Sequence, residues 1–73
     1  MTTYVYAVCD DRGNNHVRTI NANSMQNAKE KIIDKYRNDW ELDEEFDSWT
    51  DFLDYMYDHD VFISESVLDV EAL

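Results

Sequence analysis

TYVYAVC (residues 3–9), DDRGNN (10–15) and HVRTIN (16–21) follow one another near the N-terminus, and together they decide the fold class. The first segment is β-branched and aromatic with no helical period, which reads as a strand. DDRGNN holds Gly13, the only glycine of the chain, and reads as a turn. HVRTIN reads as a second strand, so the chain opens with a β-hairpin closed by a longer loop.

Beyond the hairpin the pattern changes period. Asn23 or Ser24 offers an N-cap, whose side-chain oxygen accepts from a free amide of the first helical turn. Met25, Ala28, Ile32 and Tyr36 then recur at i, i+3, i+7 and i+11, which predicts a helix of about 14 residues. Lys29, Lys31, Lys35 and Arg37 lie toward its C-terminal half, where the helix dipole favours cations. DWELDEE (39–45) has no clear period and reads as a loop or an irregular helical turn. Ser48 with Asp51 makes an S-x-x-D capping pattern, and a second helix is expected over 46–58. VFIS (61–64) reads as a third strand that can continue to Val67, and the tail from about 68 to 73 as loose. The order β-β-α-α-β predicts a single α+β domain over residues 1–73, with an antiparallel three-stranded sheet packed on two helices. The third strand is expected beside the first. One open sheet edge could pair with a second copy of the chain to give a homodimer.

The 73 residues carry 17 acids and 6 bases, a net charge of −11. All six bases fall in residues 1–38, with four acids, a net of +2. Residues 39–73 hold thirteen acids and no base. A split this sharp predicts an acidic pole over 39–60 rather than uniform acidity.

The second helix organises that pole. At about 100° per residue, Asp51, Asp54 and Asp58 all fall within about 40° of Asp47 on the helical wheel. Trp49, Phe52, Leu53 and Met56 fall on the opposite side, so the aspartates face water if the aromatic side is core. Like charges at i,i+4 destabilise a helix by about 0.2–0.5 kcal/mol per pair, and Asp is a mediocre helix former. Folding alone does not favour this choice. The row spans roughly 16 Å at about 1.5 Å per residue. DNA presents one charge per about 1.7 Å of axis, counting both strands. An acidic helix of this kind can occupy a groove built for phosphates, with Glu41, Asp43, Glu44, Glu45 and Asp60 adding flanking charge. Tyr36, Trp40, Tyr55 and Tyr57 flank the region. Tyr55, at the edge of the acidic row, is the expected exposed anchor. The bland alternative is a solvated face that serves solubility.

Other chemistries find little support in the residues. Cys9 is the only cysteine, which suits a reducing cytosol, and no Cys/His cluster has zinc spacing. His59 lies between Asp58 and Asp60, but successive helical side chains point about 100° apart and do not converge easily on a metal. His16 beside the turn reads as structural. Asp39, Glu41 and Asp43 resemble the start of a calcium loop, yet Glu44 stands where that loop needs glycine. No metal and no cofactor is expected. There is no phosphate-binding glycine loop and no nucleophile elbow, so an enzyme is not expected. No apolar run approaches the length of a membrane span, and MTTYVYAVCDD lacks the layout of a signal peptide. Direct nucleic-acid binding is disfavoured by the charge, and the bases of the first helix are expected to neutralise acids within the molecule.

Size, acidity, a free cysteine and a compact α+β reading resemble the small acidic proteins that phages and mobile elements make against host nucleic-acid machinery. These include DNA mimics, anti-restriction proteins and anti-CRISPR proteins. The resemblance is compositional, covers Asp39–Asp60, and brings no residue roles with it. It implies a non-enzymatic inhibitor in the host cytoplasm. Its partner would be a basic nucleic-acid-binding protein: a nuclease, CRISPR effector, restriction enzyme or transcription component. The row Asp47, Asp51, Asp54 and Asp58 would stand in for phosphates. A structural or adaptor module that self-associates is the alternative.

Overall fold

The structure, a computed structural model, describes residues 1–72. It is an α+β domain in the order β1 (Thr2–Cys9), β2 (Asn15–Ala22), α1 (Met25–Asp39), α2 (Trp49–Asp58), β3 (Phe62–Ile63), β4 (Leu68–Asp69), with a short 3-10 turn at Val70–Ala72. β1 is central. It pairs antiparallel with β2 along one edge, and with β3 and then β4 along the other.

The hairpin register runs from Thr2 opposite Ala22 to Cys9 opposite Asn15. Its loop is organised by Asp10. One carboxylate oxygen accepts from the backbone amides of Arg12 and Asn14, both at 2.9 Å. The Gly13 amide donates to the Asp10 carbonyl at 3.0 Å. Gly13 has φ of 80°, a left-handed conformation that glycine adopts without steric cost.

Alternation along β1 divides the sheet into two faces. Tyr4, Tyr6 and Val8 are buried and face the helices. They join Ala22, Ala28, Ile32, Phe52, Met56, Val61, Ile63 and Val67 in one core. Thr3, Val5, Ala7 and Cys9 point to the other face, opposite Asn21, Thr19, Val17 and Asn15 of β2. Phe62 lies opposite Cys9 and Leu68 opposite Val5, so both continue that outer face. Cys9 is therefore half-buried on the outer side of the sheet rather than a core residue.

Both helices begin at serine caps. Ser24 Oγ accepts from the Asn27 amide at 3.1 Å, and Ser48 Oγ from the Asp51 amide at 3.1 Å. Ser48 is extended, with φ of −153°. The second helix thus starts at Trp49, not at 46, and Phe46 and Asp47 precede it. Met25, expected on the buried face of α1, is exposed in the first turn, while Ala28 and Ile32 are buried as the period predicts.

The tail departs most from expectation. The third strand does not run on to Val67. It stops at Ile63, and the chain bulges over 64–67 before Leu68–Asp69 rejoins β1. The strand opposite β1 carries two more residues here than β1 does, as a bulge requires. Ser64 bridges the gap. Its amide donates to the Ala7 carbonyl at 2.9 Å, and its Oγ accepts from the Ala7 amide at 3.0 Å while donating to the Ser66 carbonyl at 2.9 Å. The segment expected to be loose is therefore a paired strand and a 3-10 turn through residue 72. Leu73 lies outside the described residues.

Candidate functional site

α2 presents two faces because its apolar residues recur at helical spacing above a serine cap. Phe52 and Met56 are fully buried, and Trp49 and Leu53 pack against the same core. Phe52 meets Trp49, Phe46 and Tyr36 at ring-centroid distances of 5.4, 5.3 and 5.9 Å. The Trp49 indole donates to the Glu65 carbonyl at 2.9 Å, tying the start of α2 to the sheet bulge. Rotation of α2 about its axis is thereby fixed, and Asp51, Asp54 and Asp58 stand exposed on the opposite side.

The other expected site residues sit around that row. Asp47 is exposed but lies just before the Ser48 cap, so it is not on the helix as the wheel placed it. Asp43, Glu44 and Glu45 are exposed in the loop between the helices. Glu41 is exposed at the end of α1. Tyr55 is not an exposed anchor. It is half-buried, stacked on His59 at 4.3 Å and set against Phe46 at 5.3 Å. Tyr57, 61% exposed, is the aromatic residue that stands out from α2.

The expected internal neutralisation is absent. No Lys or Arg forms an ion pair with a carboxylate among the described residues. The single contact of ion-pair type among the described residues joins His16 Nε2 and Asp10 Oδ2 at 3.2 Å. Lys31 instead donates to the Asn21 carbonyl at 2.8 Å, and the Lys29 ammonium lies 5.8 Å from the Trp49 ring centre. The acids of residues 39–60 are exposed and have no Lys or Arg partner among the described residues.

The helix C-termini carry a further signal that the sequence pattern did not reveal. After α1, the Leu42 amide donates to the Arg37 carbonyl and the Glu41 amide to that of Asn38. After α2, the Val61 amide donates to the Met56 carbonyl and the Asp60 amide to that of Tyr57. Both are Schellman closures, which place one residue in the left-handed region, usually glycine. Here those residues are Glu41, at φ of 54°, and Asp60, at φ of 64°. An acid there costs twice: the backbone is strained for a side chain, and the negative end of the helix dipole opposes the charge.

A second feature draws on distant parts of the chain. A cleft of about 520 Å³ lies at the turn end of the sheet, lined by Asp10, His16, Arg18, Tyr36, Trp40 and His59 among others. The Tyr55 carbonyl can only accept, so His59 Nδ1, 2.8 Å away, carries a proton and donates to it. Amide donation from Asn14, with help from His16 and Arg12, holds the Asp10 carboxyl below its ordinary range. Burial pushes the Tyr36 hydroxyl up, so it stays protonated at neutral pH. Neither imidazole is hydrogen-bonded to a hydroxyl or thiol among the described residues. Nor does any group of three or more His, Cys, Asp or Glu side chains there converge as a metal site would require. No helix among the described residues is long and apolar enough to cross a membrane.

Compared with protein-family models, with curated proteins and with solved structures, the chain finds no match in any of the three.

Proposed function

We propose that this chain is a non-enzymatic binding protein, working in the cytoplasm of a host cell. Its acidic pole docks in the phosphate-binding groove of a basic nucleic-acid-binding protein, as a phage-type inhibitor would. The chain does not bind nucleic acid itself, since its net charge of −11 repels phosphate.

The observation that carries this reading is the unpaired acidic row. Asp47, Asp51, Asp54 and Asp58 are exposed, and no base of the same molecule pairs with them among the described residues. A surface that served only solubility would gain from mixed charge, because opposite charges at i,i+4 stabilise a helix and like charges do not. Glu41 and Asp60 support the same reading, since both occupy left-handed positions at which glycine folds better. Stability is given up where negative charge is gained. The partner surface that rewards this is a basic one, and its attraction speeds encounter and weakens as salt rises.

The test is capture from host lysate at low salt on immobilised chain, with elution in a salt gradient. A basic protein that is released at raised salt, and is displaced by duplex DNA, is the expected partner. Replacing Asp51 and Asp54 with Lys should then weaken its affinity about 100-fold, because each like-charge contact costs on the order of a kcal/mol or more. Unchanged affinity in a double variant with native circular dichroism would rule the reading out.

A further inference from the structure

The helices cover one face of the sheet and leave the other open except at Phe62, whose ring meets that of Tyr57 from α2 at 4.9 Å. Its outward residues on β1, β2, β3 and β4, set by the pairing register, include no charged side chain. Val17 is 73% exposed, Phe62 48% and Leu68 46%. Val5, Ala7, Val17 and Leu68, with Ser64 and Ser66, line a shallow apolar depression of about 260 Å³ at its centre. In a chain where charged residues make up 32% of the sequence, a whole neutral face is a departure that solubility would not select.

We infer that this face packs against the same face of a second copy, giving a two-fold dimer. Charge decides the occupant. A basic protein or a nucleic acid gains no ionic contact on a surface without charge. A second copy is repelled by the acidic pole but meets no repulsion here. It brings the same β-branched, apolar surface, as an isologous contact requires. Two sheets stacked face to face lie about 10 Å apart. Each acidic row is on the side of its helix away from the core, so the rows stand about 40 Å from one another, well beyond the Debye length of about 10 Å at 0.1 M salt.

The area is sufficient but small. The eight-residue strands β1 and β2, at about 3.4 Å per residue and about 4.8 Å apart, with the two-residue strands β3 and β4 alongside, bury on the order of 500 Å² per copy with their side chains. The pair then buries roughly 1,000 Å², about the least that a specific interface buries and in the range of weak, transient contacts. The short, bulged β3–β4 edge is a poor template for strand addition, which leaves the eight-residue β2 edge as the surface that competes with the face.

Sedimentation equilibrium of the full chain, in reducing buffer so that Cys9 cannot cross-link, tests this. The mass should rise from 8.7 kDa toward twice that value between about 5 and 500 µM, the span in which a weak, small-area contact is populated. Raising salt from 0.05 to about 0.5 M should tighten the dimer, since it screens the repulsion of two −11 chains and leaves apolar contact intact. Val17→Asp and, separately, Leu68→Lys should each weaken association at least tenfold while circular dichroism stays native. Asp51→Lys with Asp54→Lys should leave association in place, and Val17→Asp should leave lysate capture in place, so the two surfaces fail independently. A monomer at every concentration overturns the inference and leaves the face to an unlike apolar partner. Wild-type association in Leu68→Lys also overturns it, in favour of pairing through the β2 edge.

Discussion

On α2, Asp51, Asp54 and Asp58 face water with no cation of the same molecule paired to them among the described residues. On the sheet, Val17, Phe62 and Leu68 face water on a surface without charge. One surface concentrates charge at the expense of helix stability, and the other excludes charge at the expense of solubility. Both lie on one core, and one layer of side chains around Phe52 separates them. A small domain can keep two surfaces of opposite character only if its interior fixes which residues face which way. Here the serine caps, the hairpin register and the Trp49–Glu65 bond do that.

The largest effect should come from removing that common support. Phe52 is fully buried among Tyr36, Phe46 and Trp49, and Phe52→Ala should cost about 3–5 kcal/mol. For a domain of this size that is most of the folding free energy. Chemical denaturation should show the variant largely unfolded, with both surfaces lost together. A loss under 1 kcal/mol would mean that the two faces do not depend on the shared interior.

A smaller change should separate charge from stability. Glu41→Gly relieves a left-handed side-chain position and removes a carboxylate from the negative end of α1. Stability should rise by about 1 kcal/mol, visible as a higher denaturation midpoint, while capture of the basic partner weakens. A destabilised variant would show that Glu41 makes a folding contact, and the acidic side would lose its mark of sacrifice.

The smallest effect lies at the hairpin turn. The folded Asp10 carboxyl is held below its ordinary value of 3.8, chiefly by the Asn14 amide. Folding thus favours the charged form. The stabilisation is fully present above 3.8 and is lost as pH falls through the lower folded value. Asp10→Asn keeps an amide oxygen for the turn but no longer titrates. Its melting temperature should therefore fall less steeply than the wild type's on acidification below 3.8. Parallel pH profiles would remove Asp10 as a source of acid sensitivity.

Much of this architecture can be read from the chain itself. TYVYAVC and HVRTIN are too β-branched and aromatic for another assignment, and the period of Ala28 and Ile32 places α1 without ambiguity. The acidic row was legible because a wheel needs only spacing, although it misplaced Asp47, which precedes the cap. Tyr55 was misread for a related reason. A wheel gives direction from the axis, but not whether a neighbouring loop covers that direction, as Phe46 does. β4 was hidden because Glu65 interrupts the alternation of Val61, Ile63 and Val67, and a bulge of two residues shifts the pairing beyond it. The uncharged sheet face emerges only when Val17 is known to lie opposite Ala7 and Leu68 opposite Val5, since register turns scattered residues into one surface. The cleft joins residues from Val8 to Val61, with no local pattern to announce it.

The indole of Trp49 gives this molecule its own gauge. Its proton is held by the Glu65 carbonyl, where the charged helix meets the bulged strand. Each time that bond breaks, the proton becomes free to trade with solvent deuterium. The exchange rate of a single indole resonance thus reports how often that junction opens, and whether loading one surface steadies the ground beneath the other.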